Sequence, residues 1–354
     1  MIGSHNAARG GIIPRQIPEG VAPLVDVAGT AFECGQRYAA AVMAMPRRRS
    51  HLETMRQYLA QWPRPVIRLI EDRAPFLVDV LRGMASETAG LGPAPPSPRD
   101  TGGCTSFGVS GALALDGAPL SGQNKDTPVE SAFLYIVLKM RIQAGPTILV
   151  LAYPGELLGY GLWSTGLSLF RNSLYCPPSP SGLLTLESFG LLALASGSVD
   201  AAIDLARTHG VQDNGNVTIS DASGKSAAVE WDARGVTVVE ARDGVVTHAN
   251  HAEAPALGAV DVYPDPEERR LSEFRSRRLR ELLQSEHGRL TSQKAMMILA
   301  DHEGYPGGLC RHKMDGSDSR CTTAALVAEH SRGVLHVVRG QACSHWPVTH
   351  TISA

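Results

Sequence analysis

Gly102-Gly103-Cys104-Thr105-Ser106-Phe107-Gly108-Val109, followed by Pro119-Leu120-Ser121-Gly122-Gln123-Asn124, is the stretch whose reading decides the class of this fold. Residues 105–110 alternate with the two-residue period of a strand, and Asp116-Gly117 is a hairpin turn signal before the chain returns. Upstream lies Gly92-Pro93-Ala94-Pro95-Pro96-Ser97-Pro98, which fits neither a helix interior nor a central strand and reads as an extended connector. The two sides differ in texture. Residues 29–91 have helical apolar spacing, punctuated by Pro46, Pro63, Pro65 and Pro75.

Beyond Cys104 the pattern is of strands. Residues 133–140, 147–153 and 166–172 read as strands, and 186–208 as a helix. Short strands at 217–221, 226–231, 236–241 and 245–249 are parted by Ser223-Gly224, Arg234-Gly235 and Asp243-Gly244. Helices at 266–286 and 291–300 follow, then a last hairpin of 323–329 and 334–339. Hairpins bracketed by helices are neither a Rossmann alternation nor an all-β sandwich. They predict an α+β protein with antiparallel sheets covered by helices.

The chain carries 33 basic and 35 acidic residues, so no basic footprint for nucleic acid is expected. Arg47-Arg48-Arg49 is short and reads as a solvated face. No apolar run reaches the ~20 residues of a membrane span, and residues 1–20 lack the apolar core of a secretory signal. Cys34, Cys104, Cys176, Cys310, Cys321 and Cys343 follow no disulfide framework, so reduced thiols and a cytoplasmic location are expected.

A cysteine in an apolar core is inert. One that follows two glycines at the mouth of a strand is placed for chemistry. The glycines permit unusual backbone angles, and the strand would hold the thiol rigidly. Cutting the Gly103–Cys104 bond would give Cys104 an α-amine (pKa ~7.7–8.0) beside its thiol (~8.5), close enough for easy proton transfer. Nucleophile and base would then share one residue.

Gly103-Cys104-Thr105-Ser106 with Gly122-Gln123-Asn124-Lys125-Asp126 resembles the N-terminal nucleophile hydrolases, and more narrowly the acyl-coenzyme A:6-aminopenicillanic acid acyltransferase family. Thr247-His248-Ala249-Asn250-His251, Asp301-His302-Glu303-Gly304 and Leu309-Cys310-Arg311-His312 resemble that family's later motifs. The resemblance implies a four-layer αββα sandwich of two antiparallel sheets between helices. It also implies a precursor that cuts itself before the cysteine. Residues 1–103 would form a helical pro-segment that stays bound as a small subunit, and 104–354 the catalytic subunit.

The same resemblance implies the site. Cys104 would be nucleophile in both reactions. Asp126 would orient the α-ammonium, and Arg311 would offset that carboxylate and steady the thiolate. Asn250 would donate to the oxyanion, and Asn172 resembles a second oxyanion position. Lys125 and Thr105 are weaker candidates for substrate contact, Lys125 for an anionic group. The implied activity is amide-bond hydrolysis or acyl transfer on a small amide or acyl thioester. Gln123 stands where the bile-salt hydrolase branch has arginine, which argues against that branch.

Other readings stay open. His248, His251, His302 and His312 invite a Cys-His peptidase dyad. An uncleaved, silent binding protein on the same fold is the alternative of a different class. Cys310, His312 and Cys321 lack paired Cys-x-x-Cys spacing and an evident fourth ligand, so no metal is expected, nor is a cofactor. The sequence leaves a homo-oligomer open.

Overall fold

A computed structural model describes residues 20–45, 62–88, 103–179, 182–254, 263, 265–313 and 320–353. The connector expected at 92–98, the Arg47-Arg48-Arg49 run, Gly102 and the first 19 residues lie outside them. β1 (Leu24–Gly29) leads into α1 (Ala31–Met43), whose start is closed by a reciprocal Thr30–Glu33 capping box. α2 (Arg64–Arg73) and α3 (Pro75–Glu87) carry proline in the first turn, where a missing N–H costs no helical bond.

β2 (Gly103–Val109) and β3 (Leu120–Pro128) form the expected hairpin, and Asp116 accepts from the Ala118 N–H at 3.1 Å in its turn. β4 (Ile136–Ile142), β5 (Thr147–Ala152), β6 (Tyr160–Trp163) and β7 (Leu167–Asn172) follow. The single helix expected at 186–208 is two, α4 (Leu186–Ser196) and α5 (Val199–His209), because Gly197 ends one and the Ser198 side chain caps the next. The chain continues through β8 (Gly215–Asp221), β9 (Ser226–Asp232), β10 (Gly235–Glu240) and β11 (Val245–His248). α6 (Pro266–Ser285), α7 (Ser292–Leu299), β12 (Arg320–Glu329), β13 (Val334–Arg339) and β14 (Val348–Thr351) complete it.

The strands form two sheets. One has eight strands in the order β1-β4-β5-β6-β7-β8-β9-β10, and the other six in the order β11-β2-β3-β12-β13-β14. The larger sheet packs its outer face on α1–α5 through Val80, Leu138, Val150, Trp163 and Phe189. The smaller packs on α6 and α7 through Phe107, Leu279, Leu283 and Leu299. Between the sheets lie Tyr135, Leu149, Phe170, Leu326 and Leu335. The fold is therefore the expected four-layer α+β sandwich.

Two details depart from expectation. The sheets are not purely antiparallel, since β1 pairs with β4 in parallel from Leu24↔Val137 to Gly29↔Ile142. Residues 1–103 are therefore not wholly helical. β1 becomes an edge strand of the larger sheet, and α1 and α3 cover that sheet in close contact. A Cβ on Gly35 would lie 2.0 Å from the Val80 carbonyl oxygen, and one on Gly83 2.0 Å from that of Phe32.

A buried ring ties the sheets together. His330 Nε2 lies 2.9 Å from Ser121 Oγ on β3 and 3.3 Å from Ser168 Oγ on β7, while its Nδ1–H donates to the Gly166 carbonyl at 3.2 Å. Burial holds its pKa down to about 4, against the pull of the Gly166 carbonyl. The folded protein keeps this ring neutral where the unfolded chain protonates it near 6.5. Its contribution to stability is full above pH 6.5 and is lost as pH falls to about 4, a difference of roughly 3 kcal/mol. Urea midpoints across that window should fall more steeply for the wild type than for His330→Gln. Equal slopes would remove His330 as the cause.

Candidate active site

Side chains alternate across a strand, and β2 divides its residues between two environments. Ser106 reaches the larger sheet, its Oγ 2.7 Å from Thr218 Oγ1, so the pleat turns Cys104 toward the space between the sheets. Thr105 and Phe107 turn the other way, toward α6. Cys104 is 4% exposed. Its register partner on β3 is Lys125, which shares the thiol's face. Lys125 is buried, donates to Tyr160 Oη at 2.5 Å, and lies 4.4 Å from the centre of that ring.

The backbone nitrogen of Cys104 is held from the opposite edge of β2. β11 ends with His248 opposite Ser106. Two residues further along, the Asn250 side chain takes over from the ladder. Its Oδ1 accepts from the Cys104 N–H at 3.0 Å and from Arg275 Nη2 at 2.9 Å. Asn250 Nδ2 donates to the Ser173 carbonyl at 2.9 Å. Two donors converging on one atom identify it as the amide oxygen. With the peptide intact, Asn250 is thus an acceptor for the Cys104 nitrogen, and its amide N–H is turned to the Ser173 carbonyl.

Its placement is well braced. The Asn250 N–H donates to Ser272 Oγ at 2.8 Å. His248 and Glu230, both fully buried, meet at 2.6 Å. Glu230 also accepts from the N–H groups of Glu253 (2.7 Å) and Ala254 (3.2 Å). Burial opposes a charged His248 ring, but the hydrogen bond and charge of Glu230 prevail and raise its pKa. Both nitrogens of His248 are engaged, with Glu230 and the Ala249 carbonyl, and both of His251, with Ser272 and Glu253. These contacts count against either ring as the base of a Cys-His dyad.

Gly103, at the start of β2, pairs in register with Asp126. A Cβ built on Gly103 would lie 3.3 Å from Arg311 Nη1 and 3.4 Å from Asp126 Oδ2, so glycine allows both groups to close on the peptide. Asp126 is fully buried and accepts from Thr322 Oγ1 at 2.8 Å. Burial raises its pKa, while Arg275, Arg311, Thr322 and Arg320 pull the other way. Arg311 pairs with Glu268 at 2.8 Å, and Glu268 also takes Arg320 at 3.1 Å.

Asn172 and Thr105 lie close to Cys104 but are committed elsewhere. Asn172 Nδ2 donates to Ser106 Oγ at 2.8 Å and Asn216 Oδ1 at 3.3 Å, and its Oδ1 accepts from Gln123 at 2.6 Å. It belongs to a polar network between the sheets, two residues along β2 from the thiol. The Thr105 hydroxyl accepts from Arg275 Nε at 3.0 Å on the face away from the thiol, which sets it apart from a substrate contact beside Cys104.

Sequence reasoning missed Arg275, the buried guanidinium that bridges Thr105 and Asn250, and Glu268, which holds Arg311. Both lie on α6, Arg275 one or two turns from Ser272, Leu279 and Leu283, and Glu268 one turn before Ser272. Phase with those two leucines was the available signal. Six arginines between 269 and 280 concealed which one turns inward.

A family model described as acyl-coenzyme A:6-aminopenicillanic acid acyl-transferase matches residues 181–342. Two solved structures of conjugated bile acid hydrolase from Clostridium perfringens, one of a mutant and one of a variant, align with TM-score 0.47 at 12% and 15% identity. They cover 70% of this chain and 96% and 97% of theirs. Penicillin V acylase from Agrobacterium tumefaciens aligns with TM-score 0.38 at 14% identity, over 71% of this chain and 77% of its own. Among curated proteins no match is found. The matched segment takes in Asn250, Arg275 and Arg311, and over residues 181–342 the chain is similar to the acyl-coenzyme A:6-aminopenicillanic acid acyltransferase family.

Proposed function

We propose that the chain is a self-processing cysteine amidohydrolase or acyltransferase. It cuts its own Gly103–Cys104 bond and then works on small amides or acyl thioesters from Cys104. The observation that carries this reading is the convergence of Asp126 and Arg311 on Gly103, with Asn250 and Arg275 on the Cys104 nitrogen, at one buried peptide bond. The family name, an acyltransferase, agrees with chemistry at an acyl carbon.

In the first reaction the Cys104 thiol adds to the Gly103 carbonyl carbon. The C–N bond breaks, the Cys104 nitrogen leaves as an amine with the thiol's proton, and a thioester remains. Water opens it to the Gly103 carboxylate and the free thiol. Asn250 Oδ1 already accepts from that nitrogen and keeps the new amine in place. Asp126 stabilises the amine when it is protonated. Arg311 offsets the carboxylate.

In the second reaction the thiol adds to a substrate acyl carbon while the α-amine takes its proton and passes it to the departing nitrogen. The thioester acyl-enzyme then yields to water, giving an acid, or to an amine, giving a new amide. Lys125 and Tyr160, on the thiol's face, favour an anionic or polar acyl group.

Denaturing electrophoresis and N-terminal sequencing test the first step. The expected result is two bands, the larger beginning Cys-Thr-Ser. A preparation that turns over substrate yet runs as one full-length band overturns self-processing. Intact mass spectrometry after incubation with amides and thioesters should find the acyl mass on the larger piece. A cleaved protein that takes no acyl group from any of them favours a binding role.

A further inference from the structure

We propose that the chain binds a zinc ion through His302, Cys310, His312 and Cys343. The four ligand atoms all lie within 4.8 Å of one another. His302 Nε2 and His312 Nε2 are 3.1 Å apart, and Cys343 Sγ and Cys310 Sγ are 3.5 Å and 3.8 Å from His312 Nε2. Zinc bonds of ~2.0–2.1 Å to nitrogen and ~2.3 Å to sulfur, set tetrahedrally, give edges of about 3.3 Å for N···N and about 3.6 Å for N···S. The three edges that meet at His312 Nε2 follow those two values. Two thiolates and two imidazoles suit zinc in preference to harder ions, and four protein ligands make a closed, structural site.

The ligands come from two segments that flank the start of β12. His302, Cys310 and His312 belong to the turn after α7. There the Cys310 N–H donates to the Asp301 carbonyl at 3.0 Å and the His312 N–H to the Pro306 carbonyl at 2.9 Å. Arg278 grips the Asp301 carboxylate with two bonds, at 2.9 Å and 3.1 Å. Cys343 comes from the turn after β13, where the Gly340 N–H donates to the Thr323 carbonyl at 2.8 Å. Gln341, 3.4 Å from His312 Nδ1, is placed to fix that ring. With Nε2 on the metal its amide would turn its oxygen to Nδ1–H. The sequence expectation of no metal weighed Cys321 as a third ligand. Cys321 lies on β12 outside the cluster, and the ligand it stood in for is Cys343.

The ion has a structural task independent of the reaction proposed above. Arg311 stands between two ligands, and its N–H and carbonyl pair with Thr322 at 2.8 Å and 2.9 Å. A zinc ion would clamp this turn to the end of the smaller sheet.

The test uses the full chain, purified under reducing conditions without chelator. Metal analysis should give about one zinc per chain. Cobalt titration of the stripped protein should give thiolate charge-transfer absorption and the intense visible bands of tetrahedral cobalt. Cys343→Ala and His302→Ala, both at exposed positions, should weaken binding by ~10²-fold or more, with circular dichroism confirming that both fold. Uptake unchanged in both variants overturns the proposal. So does an octahedral cobalt spectrum without thiolate bands, no uptake at all, or a Cys310–Cys343 disulfide persisting under reduction.

Discussion

Cys104→Ala should leave a chain that runs as one full-length band and turns over no amide. Alanine keeps the strand and its backbone hydrogen bonds, including the Cys104 N–H to Asn250 Oδ1, so the fold has no reason to change. What disappears is the atom that adds to the acyl carbon. Loss of a nucleophile that acts with its base as one unit costs roughly 10⁴–10⁶-fold in turnover. Cys104→Ser should process slowly, since a hydroxyl can attempt the same shift. Gel time courses and single-turnover assays measure both. Cleavage of the alanine variant at Gly103 would remove Cys104 from the nucleophile's role.

Arg275→Met should damage both stability and turnover. Methionine fills much of the volume but abandons the oxygens of Thr105 and Asn250, and it leaves Asp126 buried with one fewer cation beside it. Breaking one side of a buried polar cluster costs on the order of 3 kcal/mol. The Asn250 amide, freed from one of its two donors, keeps only the Ser173 carbonyl and the Cys104 N–H to hold its oxygen toward that nitrogen. Turnover should therefore fall by about 10²-fold or more, in the range seen when a positioned active-site donor is lost. Arg275→Lys should not restore it, because one ammonium cannot reproduce the planar fork that reaches both partners. Urea midpoints report the first effect, and kcat compared with KM the second. A variant that loses stability but keeps kcat would make Arg275 a structural residue alone.

The sandwich was legible because local signals agreed. The Asp116-Gly117 turn fixed the β2–β3 hairpin, and the charged helix before 286 kept its apolar phase through Leu279 and Leu283. β1 was invisible because its partner, β4, lies more than a hundred residues away and no local pattern announces a parallel edge strand. β6 and β14 have four residues each, too few to show a period. Around the bond, the motifs led to Cys104, Asp126, Asn250 and Arg311, but not to how they meet. Which end of an asparagine faces a nitrogen depends on what else surrounds it, and for Asn250 that is an arginine from another layer. Cys343 escaped for the same reason. Its companions lie more than thirty positions earlier.

The groups around the Gly103–Cys104 bond come from distant parts of the chain. Asn250 lies 146 positions beyond Cys104, Arg275 lies 170 beyond Thr105, and Thr322 lies 196 beyond Asp126. On the reading proposed here, synthesis and folding must reach the last large hairpin before the bond can break. Scission is then a receipt for a finished molecule. A truncated or misfolded copy keeps its thiol beside an intact peptide and never becomes a working enzyme.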